Sequence, residues 1–272
     1  MKRILFLIFM LAVEGLTAQS VNDLTAPNWL SVADAAGNGV SVFAPLNDIG
    51  TIGELQSSTA AVSAERRVLG IDLQYIYGSF CLPLTNAGLG MSVSYVAADA
   101  WKQSKLGLTY GRRLASNFSL AIQLNYHRIS VHGYGAGGTI TPAVGMSYHL
   151  TDKTDFRVFA DNPFGGKFGN SNEKSGAHFT AILSHEIGEN LALALRISRE
   201  HSAPADLLLL LNYALHSKLQ LDGGISLNRT NGFAGTSVSF RQVRLRQILF
   251  WSQALGFGTA ISFEFRKPLK DE

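Results

Sequence analysis

Phe118-Ser119-Leu120-Ala121-Ile122-Gln123-Leu124-Asn125-Tyr126 is the stretch on which the fold turns. Phe118, Leu120, Ile122, Leu124 and Tyr126 share one parity, and Ser119, Ala121, Gln123 and Asn125 share the other. Successive side chains of a strand point to opposite faces, so this segment has one apolar face and one small or polar face. The same alternation returns at Leu89 to Tyr95, Leu106 to Gly111, Ile140 to Leu150, Leu191 to Ser198 and Phe257 to Arg266. In each, the second face is built mostly from Gly, Ala, Ser and Thr. A soluble β-sandwich also alternates, but its outer face carries Lys and Glu in number. Small residues on the second face suit the inside of a barrel, with the apolar face turned to lipid.

Composition points the same way. Of 272 residues, 46% are hydrophobic and only 16% charged, which leaves apolar surface that a water-soluble exported chain would have to hide. Lys2 and Arg3, the apolar run Ile4 to Val13, and Gly15-Leu16-Thr17-Ala18 have the order of a secretory signal, with cleavage expected after Ala18. No later stretch approaches the ~20 consecutive apolar residues of a membrane helix. Cys81 is the single cysteine, so no intrachain disulfide can form. A formal charge of +3 gives no reason to expect nucleic acid as a partner.

The connections alternate as well. Tight turns are expected at Thr85 to Gly88, Ala115 to Asn117, Thr151 to Thr154, Gly188 to Asn190, His216 to Lys218 and near Gln242 to Arg244. Between them fall further connections, several of them longer, at His132 to Gly138, Asp161 to Gly176, Arg199 to Ala205 and elsewhere. Short turns on one rim and long loops on the other are the periplasmic and extracellular ends of a bacterial outer-membrane barrel. With a first hairpin of Val68 to Tyr75 and Tyr77 to Leu84, the expectation is an all-β transmembrane antiparallel barrel of about 14 strands over residues 67–267. Residues 268–272 are left as a periplasmic tail. Tyr95, Tyr110, Phe118, Tyr126, Tyr148, Phe156, Tyr213, Phe240 and Phe265 sit toward strand ends on the apolar parity, as interfacial girdles do. Residues 19–66 do not alternate cleanly but hold Val40, Val42, Phe43, Leu46, Ile49, Ile52 and Leu55, too apolar for a disordered tail. They are expected to fold into the lumen as a plug.

With its Gly/Ala-rich N-terminal segment running into Asn47-Asp48, its strand count, and Phe159-Ala160-Asp161-Asn162-Pro163 at the start of a long loop, the chain resembles a known group. It is similar to the fatty-acid-transporter-like outer-membrane barrels, in particular the smaller Bacteroidetes members grouped with the type IX secretion proteins PorV and PorQ. The resemblance implies a 14-stranded barrel with the N-terminal segment inside and passage of hydrophobic molecules through wall or lumen. The chain departs from the family after Asn47-Asp48, where the usual Asn-Pro-Ala is replaced by Glu54-Leu55-Gln56.

Candidate chemistry is sparse. His127, His149 and His178 fall on the inward parity with Ser147, Asp161 and Glu186, but no nucleophile motif such as G-x-S-x-G accompanies them, so no catalytic residue is assigned. The seven His lack the short pairings of a metal site, and no cofactor or metal is expected. Inward charges of both signs, Arg113, Arg157, Arg196 and Arg266 against Asp72, Glu186, Asp222 and Glu264, predict internal ion pairs. Phe159, Ile182, Leu208 and Leu210 break the polar-inside rule together. They form the candidate ligand-binding set for a hydrophobic small molecule, with packing against Phe43, Leu46, Ile49 and Ile52 as the other reading. The expected location is the cell outer membrane among membrane lipids, and the expected role is passive transport of small hydrophobic compounds. The competing role is a secretion or surface-display component holding secretion-system proteins through Phe164, Lys167 and Phe168 of the long loop.

Overall fold

The computed structural model describes residues 20–21, 40–67, 73–98, 101–165, 174–200, 204–228, 231–253 and 256–268. The expected signal segment, Asp72, Lys167, Phe168 and the end of the tail lie outside these residues. Fourteen strands form the wall. They are β1 (Ser57–Arg66), β2 (Gln74–Leu84), β3 (Ala87–Ala98), β4 (Trp101–Ala115), β5 (Phe118–Val131), β6 (Gly135–Thr151) and β7 (Thr154–Asp161). Then follow β8 (His178–Ile187), β9 (Leu191–Glu200), β10 (Asp206–His216), β11 (Leu219–Ser226), β12 (Asn231–Phe240), β13 (Val243–Ser252) and β14 (Gly256–Pro268). Each pairs antiparallel with its chain neighbours, and β14 closes the barrel on β1 from Thr259↔Arg66 to Pro268↔Ser57. Closure leaves no free sheet edge, the condition for strands in a hydrocarbon medium.

The strand number agrees with the expectation, but the first hairpin does not. Val68 to Leu84 was expected as two strands; the structure has one continuous β2 through Ile76 and sets the missing strand earlier, at β1. The wall therefore begins at Ser57 rather than 67, and Pro268 still belongs to it. The reason is the small outward face of β1, Ala60, Val62 and Ala64, which carries too little apolar bulk to stand out as a strand.

Orientation follows the parity. Leu120, Ile122, Leu124 and Tyr126 are exposed while Ser119, Ala121, Gln123 and Asn125 are buried, so the apolar face is the outer one. The exposed apolar positions continue around the wall through Leu108, Val144, Leu183, Leu209, Leu249 and Phe263. This belt bounds a membrane-spanning barrel. Phe118 and Tyr148 lie side by side near the short-turn rim, ring centroids 6.4 Å apart.

The wall is uneven in height. β5 pairs with β6 along its whole length, yet β7 is much shorter. Pro142 explains the step: the Asn162 amide donates to the Pro142 carbonyl at 2.9 Å, but Pro142 has no N–H to return the bond. Asn162 turns into the left-handed region (φ 49°) and Pro163 follows, so the ladder stops and the long loop leaves the wall there. Beyond it, Lys174–Ser175 pairs parallel with Ser20–Val21.

Candidate functional site

Residues 40–55 lie inside the barrel toward the short-turn rim. Ala44–Asn47 forms one helical turn with Pro45 in its opening positions, where a missing N–H costs nothing, and Ile49–Glu54 continues as a 3-10 helix. Apolar residues of this plug are shared between wall sectors. Val42 and Phe43 pack with Tyr77, Ile248 and Ala260; Val40, Ala44, Ile52 and Leu55 pack with Cys81; Ile49 packs with Ala121, Ala143 and Phe159. Wall side chains also hold the plug backbone. Gln123 donates to the Pro45 carbonyl at 2.7 Å, Ser79 to that of Val42 at 2.5 Å and Arg266 to that of Val40 at 3.0 Å. Arg157 makes an ion pair with Asp48 at 2.6 Å, and Glu54 lies 3.2 Å from His149. The backbones meet at glycines: a Cβ on Gly50 would fall 2.5 Å from the Met146 carbonyl carbon, and one on Gly111 2.6 Å from the Gly53 nitrogen.

On the wall from β8 to β12 the inner face is different. Ile182, Ala194, Leu208 and Leu210 form one buried cluster, and Phe233 from β12 packs against it. The ladder places them in two rows, Ile182↔Arg196↔Leu208↔Ser226 and Ser184↔Ala194↔Leu210↔Gly224. Gly224 is where the Phe233 ring lies, a place a Cβ would occupy. Three of the four expected ligand-binding residues are thus brought together, and the fourth is not. Phe159 belongs with Ile49 of the plug, and its ring meets His178 edge-on at 6.4 Å. Strand parity gave its direction but not its height, and at its height the plug is what it touches. Phe233 was missed, although its setting in Asn231-Gly232-Phe233-Ala234-Gly235, one bulky residue among small ones, is the signal that marks it. Arg196, 2% exposed, stands directly between Ile182 and Leu208, so the apolar wall carries one guanidinium.

The remaining inward polar groups form separate networks. Lys105 pairs with Asp161, which also accepts from Asn125 at 3.0 Å, and His127 bonds Thr141 at 2.9 Å. Arg246 is held between Asp222 at 3.1 Å and Glu264 at 2.8 Å. His149 turns to Asp155 at 2.5 Å and to Glu54 at 3.2 Å. The histidines therefore have different partners instead of one serine. Among the described residues no group of three or more His, Cys, Asp or Glu converges as a metal site.

Fold and lumen together define the class: a closed, 14-stranded membrane barrel with an internal plug and, on the inner face of β8 to β10, one buried apolar cluster set among polar groups. Comparison with known proteins gives no matching family model and no match among curated sequences. Solved structures do match. The Ralstonia pickettii toluene transporter TbuX superposes with a TM-score of 0.68 at 9% identity, covering 91% of this chain and 100% of that one. The Pseudomonas putida toluene transporter TodX gives 0.66 at 10% identity, covering 92% and 100%. A Pseudomonas aeruginosa FadL homologue gives 0.61 at 10% identity, covering 90% and 99%. At such identities the likeness is one of fold.

Proposed function

We propose that this barrel sits in the outer membrane and lets small hydrophobic compounds cross it passively along the inner face of β8 to β12. The observation that carries the reading is the buried Ile182, Ala194, Leu208 and Leu210 cluster, which among the described residues contains none from 40–55. A lumen that only needed to be filled with water or hydrogen bonds has no use for four adjacent apolar side chains. A continuous apolar surface lowers the free energy of an apolar solute by ~25 cal/mol per Å² removed from water, enough to concentrate it without holding it tightly. Arg196 offers a hydrogen-bonding group between Ile182 and Leu208 for any solute with a polar atom. The fold shared with TbuX and TodX, described as toluene transporters, supports the same class of cargo.

The test is uptake of radiolabelled toluene by cells or proteoliposomes carrying the barrel. Replacing Leu208 and Leu210 together with Ser is expected to reduce the uptake rate several-fold while the purified barrel keeps its heat-modifiable gel migration. Unchanged uptake by a correctly folded double variant would remove the β8 to β12 wall as the route.

A further inference from the structure

The outer face of β13 breaks the rule that the lipid side is apolar. Along this strand Leu245, Gln247 and Leu249 are all exposed on the outer parity, while Arg246 and Ile248 are buried inside. Gln247 thus presents a primary amide at the middle of the strand, between two lipid-facing leucines. Its neighbour on the lumen side, Ile248, is claimed by Phe43 and Val42 of the plug, which accounts for an apolar residue inside but not for an amide outside. The exposed outward charges Lys102, Arg112 and Arg128 stand toward the ends of their strands, and among the described residues only the small hydroxyl of Thr236 shares the middle of the outer face with Gln247 at this point. Thr259, near Gln247 on β14, satisfies its hydroxyl on the Ile248 carbonyl at 3.1 Å. Gln247 has no such internal partner among the described residues. An amide left bare in hydrocarbon costs several kcal/mol, and polar groups facing that medium are kept when they bond to something.

Beside it the wall is low. Directly opposite Gln247 on β12 is Thr236; next along the outer face of that strand is Ala234, and opposite Ala234 on β11 is Gly223. Small side chains there let a second wall come close enough for the amide to reach across. We infer that this face, centred on Gln247, is where a second copy of the chain docks within the membrane. The chemistry chooses a copy over another partner. A primary amide is both donor and acceptor, so two Gln247 side chains related by a twofold axis along the membrane normal satisfy each other through two reciprocal N–H to O bonds, the self-complementarity that an isologous interface requires. Leu245 and Leu249 then pack on either side of the pair.

Cysteine crosslinking in native membranes tests this, because the chain's own Cys81 is buried and does not report. Leu249→Cys, which leaves Gln247 in place, is expected to give a covalent homodimer on oxidation, and Leu108→Cys on the far wall is not. Adding Gln247→Leu to Leu249→Cys should lower the dimer yield about tenfold, equivalent to ~1.4 kcal/mol, with heat-modifiable migration confirming an intact barrel. The inference fails if Leu249→Cys crosslinks no better than Leu108→Cys, if Gln247→Leu leaves the yield unchanged, or if the crosslinked mass belongs to a different protein.

Discussion

The two halves of the lumen are built by opposite rules. From β2 to β7 the wall is fitted to the plug: glycines bring backbones into contact, Arg157 and Gln123 reach across to Asp48 and Pro45, and Phe159 packs on Ile49. From β8 to β10, among the described residues, Ile182, Ala194, Leu208 and Leu210 pack on one another, and Phe233 of β12 joins them to the cluster that holds Val42 and Phe43. On the function proposed above, the wall that fits the plug is a floor and the buried apolar cluster of β8 to β10 lies along the path. Substitutions on the first half should therefore act on stability and those on the second on passage.

The sharpest break of that contrast is Gly50→Val. Its Cβ would meet the Met146 backbone at 2.5 Å, and backbone cannot swing aside as a side chain can. The expected outcome is an unseated plug, read as chymotrypsin cleavage at Phe43 or Leu46 in a barrel where the parent chain resists. Next is Arg157→Met, which leaves the Asp48 carboxylate buried without its cation. Breaking such a pair costs about 3–5 kcal/mol, measured as a lowered urea midpoint for unfolding from lipid vesicles. Phe159→Ala follows, at about 3 kcal/mol for the lost burial and the cavity left under Ile49. Its uptake of toluene per folded barrel should match the parent. A fall as large as that of the Leu208 and Leu210 double variant would put Phe159 back on the path and erase the division between the halves.

How much of this was legible in the sequence depends on what each residue answers to. Phe118 to Tyr126 was readable because its environment is set by one rule, lipid outside and lumen inside, and that rule has the period of the strand. Ser57 to Arg66 was not, since Ala60 and Ala64 face outward with little bulk and nothing local separates them from a loop. Ile182, Leu208 and Leu210 were legible as a group because they violate the same rule on β8 and β10, the two strands that flank the small inward alanines of β9. Phe159 violates it too, but its partner Ile49 is over a hundred residues away and reaches it only once the plug has folded, which no spacing records. Gln247 was hidden for a related reason: the break in parity is visible only after the strand's outer side is known.

The smallest expected effect concerns the edge of the floor. Burial against the wall raises the Glu54 carboxyl above its ordinary value of 4.5, and nearby His149 opposes that rise without cancelling it. A carboxyl whose folded value is raised binds its proton more tightly in the seated plug than in the released one. Its contribution to seating is therefore fully present below pH 4.5 and is lost as pH climbs through the folded value, leaving a desolvated charge at neutral pH. Glu54→Gln removes that charge while keeping the shape. Chymotrypsin protection of the plug, followed from pH 4 upward, should decline less steeply in Glu54→Gln than in the parent. A steeper decline in the variant would mean that the pair with His149 outweighs burial, and that the plug's rim is held by charge in the same way as its centre is held by Arg157 and Asp48.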